Sequence, residues 1–297
     1  MSFSIKNRNN KENNELNLLR RAQKEKWAVG QFNISNLETL RAILQAAQRL
    51  RSPVIIGTSE SESSFLGLKQ AVALIKSFKE EIDCPIFLNY DHGRDIIRLK
   101  HAIDLGYDSV HYDGSNLSLE DNISNLKELV AYGHKSDVLV EGELGSVGGS
   151  SEIHKEEIEI MIGNQVRPED IDGFINETGV DILALGIGNI HGVYEDRPKP
   201  KIDVARLTEI KEKARIPFVF HGGSGVPEEE IRQVIECGFS KININTELRI
   251  AYAESLRNYL LSNRQEVKPY KIFQTVIENI QKVAEEKILL FKSDNKI

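Results

Sequence analysis

The fold this sequence predicts is an α/β (β/α)8 TIM barrel carrying an additional C-terminal helix. Two observations carry the prediction. Short apolar, β-branched runs alternate eight times with stretches whose apolar residues recur three and four apart. Six consecutive runs then end in His, Asp, Glu or Asn, most of them beside a glycine, and barrel enzymes assemble their chemistry at the C-terminal ends of the strands.

In chain order, a strand over 27–33 is followed by a helix over 37–50, with Asn36 at its N-cap. The second pair is 53–59 and 66–82, and the third is 85–91 and 95–105, closed by Gly106. The fourth strand covers 109–113, and Ser118 opens the helix at 119–132. A strand at 138–143 precedes a helix at 167–178 that Gly179 closes, where a left-handed residue ends the last turn. Strands over 181–187, 217–221 and 241–245 pair with helices over 203–214, 228–237 (closed by Gly238) and 249–261. A polar joint at 262–270 leads into a helical run to about Phe291, without a strand partner and expected to pack across the barrel or against a second subunit. An open, doubly wound sheet would use fewer units and a glycine-rich loop after its first strand, and Gln31-Phe32-Asn33 is not such a loop.

Hydrophobic types make up 40% of the 297 residues, which suits one barrel domain over 16–297 with a helical extension from about 263. The first 15 residues are polar and Asn-rich, and are expected to be mobile. They lack the apolar core of a secretory signal, and no run is long and apolar enough to span a membrane. The 38 basic and 45 acidic residues give a formal charge of −7, against a nucleic-acid partner. Two distant cysteines, Cys84 and Cys237, argue against a disulfide framework and for the cytoplasm.

The strand ends carry the chemistry. The third strand ends in Asn89-Tyr90-Asp91-His92-Gly93, the fourth in Asp113-Gly114 and the fifth in Glu141-Gly142-Glu143. His191 follows the sixth, His221 ends the seventh, and Asn243-Ile244-Asn245-Thr246 ends the eighth. His92, His191 and His221 at equivalent heights on one rim match a catalytic zinc site, three imidazoles with an open fourth position. His101, His134 and His154 lie in helical or polar stretches and are expected on the surface. His111 lies inside the fourth strand, where it is expected to pack in the barrel rather than join the site. Gly222-Gly223-Ser224-Gly225 and the eighth strand end occupy the place where barrels commonly bind phosphate, through backbone N–H groups that no side chain obstructs.

The motifs AVGQFNISN, NYDHG, SVHYDGS, VEGELGSVGG, GNIHGVY, FHGGSG and KININT stand in order between about Leu18 and Thr246. On these the chain resembles the class II, zinc-dependent fructose-bisphosphate aldolases and related ketose-bisphosphate aldolases. The resemblance implies His92, His191 and His221 as zinc ligands and Asp91 as the acid–base group on the substrate hydroxyl. Asp113 and Glu143 match an alternative or second metal position. Asn33 joins the substrate-binding set, and Gly192, Gly222, Gly223, Ser224, Asn243, Asn245 and Thr246 match the cradle for a dihydroxyacetone phosphate half. Ser59 matches a contact to the distal phosphate. A sodium or potassium ion near the cradled phosphate and a homodimer or larger assembly are also implied. In such an aldolase zinc acts as a Lewis acid on the ketone oxygen while a carbanion forms next to the carbonyl. No strand-ending lysine is placed for a Schiff base, since Lys241 begins its strand.

Two positions depart from the family pattern. The loop after the fifth strand reads Gly148-Gly149-Ser150-Ser151-Glu152, which makes Glu152 the expected proton-abstracting base, shifted by one. The joint before the last helix reads Lys268-Pro269-Tyr270-Lys271, with Tyr270 where an arginine grips the distal phosphate. Lysine there would supply a point charge without the bidentate fork. Fructose 1,6-bisphosphate is the expected substrate, with tagatose 1,6-bisphosphate or another ketose phosphate as the alternative. A metal-dependent hydrolase and a non-catalytic barrel fit the motif order and the surviving Asp and His set less well.

Overall fold

The computed structural model describes residues 14–156, 158, 165–197, 199, 201–213 and 215–297. Eight parallel strands close into a barrel: β1 (Val29–Asn33), β2 (Val54–Ser59), β3 (Ile86–Gly93), β4 (Ser109–Tyr112), β5 (Leu139–Leu144), β6 (Ile182–Leu185), β7 (Phe218–Phe220) and β8 (Phe239–Ile244). Each strand pairs with its sequence neighbours and β1 pairs with β8, so no edge is left to solvent. The fold class predicted from the alternation is the fold observed.

The helices are α1 (Glu15–Glu25), α2 (Leu37–Leu50), α3 (Glu60–Leu66), α4 (Leu68–Glu81), α5 (Ile96–Leu105), α6 (Leu119–Gly133), α7 (Pro168–Thr178), α8 (Val204–Lys211), α9 (Glu228–Glu236), α10 (Thr246–Ser262) and α11 (Pro269–Leu290). Asn36 and Ser118 cap α2 and α6 through their side chains, and Gly106 and Gly179 close α5 and α7 in the left-handed region, as their positions predict. The helix expected at 66–82 is two helices. Ser59 and Glu62 form a capping box that starts α3 six residues earlier, and Gly67, at φ +90°, breaks it from α4. The last helix, α11, packs against α2 and α10. Beyond it, Phe291 O accepts the Ala28 N–H at 3.0 Å beside β1. No helix among the described residues is long and apolar enough to cross a membrane.

Residues 1–13 of the polar N-terminal segment lie outside the described residues. Its last two do not behave as a loose tail: Asn14 caps α1 and Glu15 is buried. Leu18, Leu19, Ala22 and Trp27 form one apolar cluster with Val29, Ile55, Phe87, Ile182, Ala184 and Val219, alternate residues near the beginnings of the strands. Helix α1 therefore plugs the lower mouth of the barrel, away from the strand ends.

Above this plug the barrel interior is polar. Ser109 Oγ donates to Glu15 Oε1 at 3.1 Å and accepts from Asn89 Nδ2 at 2.8 Å. Lys241 and Glu141, both fully buried, form a short ion pair. Glu15 has a second carboxyl oxygen without a hydrogen bond, and burial pushes its pKa up to about 7 despite the pull of Lys241. A raised acid binds its proton more tightly folded than unfolded. Its contribution to stability is full below the unfolded value near 4.5 and is lost as pH rises through about 7. Glu15→Gln is therefore expected to stabilise the protein at pH 8 relative to pH 5 by on the order of 3 kcal/mol, measured as the difference in unfolding free energy from wild type. An unchanged difference at the two pH values would show that Glu15 is not held protonated.

Candidate active site

The upper ends of the strands gather the residues that the sequence singles out. Consecutive strand residues normally point to opposite faces, yet Asp91 and His92 both enter the site. The reason is local. The β3–β4 register shifts between Tyr90 and Gly93, and His92 adopts φ +51°, a left-handed conformation unusual for a residue with a Cβ. Asp91 is 5% exposed, with Asn33 Nδ2 donating to Oδ2 at 2.8 Å and Asn243 Nδ2 donating to Oδ1 at 3.1 Å. Burial alone would raise its pKa. The imidazoles of His92, His111 and His221 outweigh burial and hold the carboxyl well below the usual carboxylate range.

Ligand atoms of Asp91, His92, His111 and His221 all lie within 4.8 Å of one another, and His92, Asp113 and Glu143 form a second such group. His191 stands beside them, its ring centroid 4.7 Å from that of His92 and 6.0 Å from that of His221, and with Asp91, His92 and Asp113 it lines a cavity on the rim. Burial, then the neighbouring rings of His92 and His221, hold His191 well below the ordinary histidine range, so its ring is neutral with a lone pair free.

The donors fit a divalent metal ion. His92 Nε2 and Glu143 Oε2 are buried without a hydrogen bond, as ligand atoms without their ion would be. His221 Nε2 sits 2.8 Å from Glu141 Oε1, which places the ring proton there and leaves Nδ1 as the lone-pair nitrogen. Burial would raise the Glu141 pKa, but Lys241 first, then His111 and His221, hold it below the carboxylate range.

His111 corrects the expectation that it stands apart from the site. Residues 111 and 113 are two apart in an extended strand and share a face, so both point inward. His111 Nδ1 accepts the His92 backbone N–H at 3.1 Å, and its Nε2 lies 3.3 Å from Glu143 Oε2. With Nδ1 engaged it positions the His92 turn, while its buried Nε2 has no hydrogen-bond partner and His111 stands among the groups that could hold an ion. His101 and His134 lie on the surface as expected. His154 instead tucks Nε2 between Ser150 O and His191 O, tying the loop after β5 to the loop after β6.

Two adjoining spaces open on this cluster, and Asp91, His191 and Asn245 line both. A narrow cleft is lined by Asn33, Gly192, His221, Gly222, Ser224, Asn243 and Thr246, most of the residues matched to the cradle. Gly222 has φ +71°, and a Cβ there would sit 2.2 Å from Ile190 O, so only glycine fits. Gly223 faces β8 instead, where a Cβ would meet the Asn243 carbonyl at 3.0 Å. Ser224 Oγ accepts the Asn245 and Glu247 N–H groups and binds the start of α10, which begins three residues before the expected boundary and aims its N-terminus at the cleft.

The wider space is a cavity of about 690 Å³. Ser59, His92, Arg94, Asp113, Arg249 and the loop from Ser146 to Ser151 line it. Arg249 was not among the sequence candidates. It donates to Ser151 O at 2.8 Å and to Glu62 Oε1 at 2.6 Å, and Glu62 also accepts from Asn33 and Asn245. Its place three residues past Thr246 on α10 was the available signal. Lys268, Tyr270 and Lys271 are exposed on the outer joint and do not line this cavity. Glu152 is exposed beyond the loop, its carboxylate accepting from Ser150 Oγ, and does not line the cavity either. Lys199 is buried behind the cleft, where burial pushes its ammonium down to about 7 against the pull of Glu247.

A parallel barrel whose C-terminal rim joins an imidazole–carboxylate cluster to a glycine-lined cleft has the build of a metal-assisted enzyme for an anionic substrate. The family model for class-II fructose-bisphosphate aldolase matches residues 13–296. A 6-phospho-5-dehydro-2-deoxy-D-gluconate aldolase of Shouchella clausii is 37% identical over 282 residues, 94% of each chain. A fructose-bisphosphate aldolase of Geobacillus stearothermophilus is 38% identical over 261 residues, 86% of this chain and 88% of that one. The crystal structure of the YdjI aldolase from Escherichia coli K12 superposes with a TM-score of 0.79 at 26% identity, covering 95% of this chain and 98% of that one. The chain belongs to the class II fructose-bisphosphate aldolase family and is an aldolase, a carbon–carbon lyase.

Proposed function

We propose that the enzyme reversibly cleaves a ketose bisphosphate, fructose 1,6-bisphosphate first, to dihydroxyacetone phosphate and glyceraldehyde 3-phosphate. The observation that carries the reading is Asp91, a buried carboxylate gripped by two amides where the narrow cleft meets the large cavity. His92, His191 and His221 would hold a zinc ion, with Asp113 and Glu143 available to an alternative or second position, and the ion supplies Lewis-acid polarisation of substrate oxygens. Asp91 takes the proton from the hydroxyl beside the breaking bond and returns it on condensation. Asn33 and Asn243 fix the direction in which that carboxylate accepts. Gly192, Gly222, Gly223, Ser224, Asn243, Asn245 and Thr246 bind the phosphate half. Ser59 and Arg249 face the distal anion, in the place first assigned to the lysines of the outer joint. Glu152 reaches the substrate only when its contact with Ser150 opens. The same reading makes the protein a cytoplasmic homo-oligomer of central carbohydrate metabolism.

A second reading has support of its own. Two relatives at 37% and 38% identity are named for a phosphorylated keto sugar acid, and a carboxylate would satisfy Arg249 as a phosphate does.

A coupled assay of triose phosphate release tests both readings. Fructose 1,6-bisphosphate, tagatose 1,6-bisphosphate, fructose 1-phosphate and the phosphorylated sugar acid are compared with and without a chelator. Activity is expected to vanish with the chelator and return with zinc. Arg249→Ala is expected to lower kcat/KM roughly 10–100-fold for substrates with a distal anion and to leave dihydroxyacetone phosphate affinity unchanged, as loss of a charged hydrogen bond implies. Full activity after verified metal removal would defeat the metal assignment. An Arg249→Ala variant with an intact preference for distal anions would defeat the arginine's role.

A further inference from the structure

Lys199 lies between β6 and α8 and is 6% exposed. Lysine is seldom buried unless its charge is answered. Here Nζ donates to two backbone carbonyls, Ile190 O and Gly222 O, each at 2.7 Å. These oxygens belong to different loops. Ile190 immediately precedes His191, and Gly222 immediately follows His221. The loops touch at this point, because Gly222 leaves the space that lets Ile190 O approach. Ile190 also pairs with Gly148 from the loop after β5, so three rim loops converge on the lysine head.

Two carbonyl oxygens turned toward one point repel each other unless a cation lies between them. A small monovalent cation is commonly held by such oxygens, and an ammonium provides N–H donors in place of coordination bonds. Met or Leu at 199 could fill the volume but could not bridge the two oxygens.

We propose that Lys199 is a tethered monovalent cation that locks the His191 loop to the His221 loop and holds the Gly222–Ser224 turn in its anion-binding shape. It acts through the two loops and is a positioning residue. The inference rests on the reading of that turn as part of the phosphate cradle. For this chain it makes a free sodium or potassium ion redundant.

The test uses zinc-loaded enzyme at about pH 6, below the lowered value of the Lys199 ammonium, in buffers whose only monovalent cation is tetramethylammonium, which is too large for the gap. Wild type is expected to show the same kcat/KM there as in potassium. Lys199→Met is expected to bind dihydroxyacetone phosphate ~10–100-fold more weakly by calorimetry, with KM rising more than kcat falls, the scale of losing a residue that orients a site. Potassium or ammonium chloride should restore that affinity saturably, and tetramethylammonium should not. Several outcomes overturn the proposal: wild type that requires potassium, Lys199→Met with unchanged affinity, or a loss that no cation restores. If Lys199→Met does not fold, the cation response of wild type decides alone. Wild type that binds neither dihydroxyacetone phosphate nor inorganic phosphate would defeat the cradle reading itself. Intact wild-type binding with an unaffected variant would defeat only the tethered cation.

Discussion

Replacing Asp91 by alanine is expected to lower turnover by roughly 10²–10⁴ while the protein keeps its fold and about one zinc per chain, as loss of a general acid–base implies. The direction follows from the surroundings of the carboxylate. Two amide donors and the nearby imidazoles keep Asp91 ionised, so it is ready to accept a proton. Alanine is the informative choice, because Asp91→Asn would set its NH2 group against one of the Asn33 and Asn243 donors. The contrasting variant is His221→Ala, which should lose the metal along with activity. Metal content by atomic emission, triose phosphate release and a circular-dichroism spectrum separate the two outcomes. If Asp91→Ala retained near-normal turnover, or lost its zinc as His221→Ala should, the division between acid–base and metal-binding roles would be wrong.

Lys241→Met is expected to cost about 3–5 kcal/mol of stability, the usual scale for stripping the partner from a buried charge. Glu141 and Lys241 are both fully buried, and their pair sits directly under the site because Glu141 also holds His221 Nε2. Without the ammonium, Glu141 either carries an uncompensated charge or takes up a proton and loosens its hold on His221. The double variant Lys241→Met/Glu141→Met should recover part of the lost stability, since it removes the uncompensated carboxylate while leaving His221 Nε2 without its acceptor, but not the activity. Denaturant unfolding of the single and double variants is the measurement. A single variant as stable as wild type, or a double variant less stable than the single, would refute this account of the pair.

Much of the barrel was legible because its signals are local. Alternation of strand and helix, Asn36 and Ser118 at helix starts, and glycine at helix ends act within a few residues, and these elements form where expected. The rim was legible for the same reason: Asp91 and Glu143 lie in the last residues of their strands, Asp113 and His221 follow theirs, and a barrel directs all strand ends one way. His111 was misread although the period of two already paired it with Asp113, so the error lay in reading the alternation and not in missing information.

Other features depended on contacts between residues far apart in the chain. Glu15 looked like part of a polar tail until α1 carried it under Ser109, 94 positions away. Glu141 read as a strand residue among others, and Lys241 as a strand opener, because nothing local shows that 100 positions close into one ion pair across the barrel. The entry of both Asp91 and His92 into the site depends on a register shift against β4, which a single strand's sequence does not specify. The use of Arg249 and Lys199 was likewise set by which loops meet: one reaches Ser151 O and Glu62, the other Ile190 O and Gly222 O. The sequence by itself determined the fold, the rim and the class of chemistry, through periodicity and the residues at strand ends. Only the tertiary structure decided which charges are buried together and which loops share a cation, because those energies depend on distance and burial, and closing the barrel is what brings the groups together.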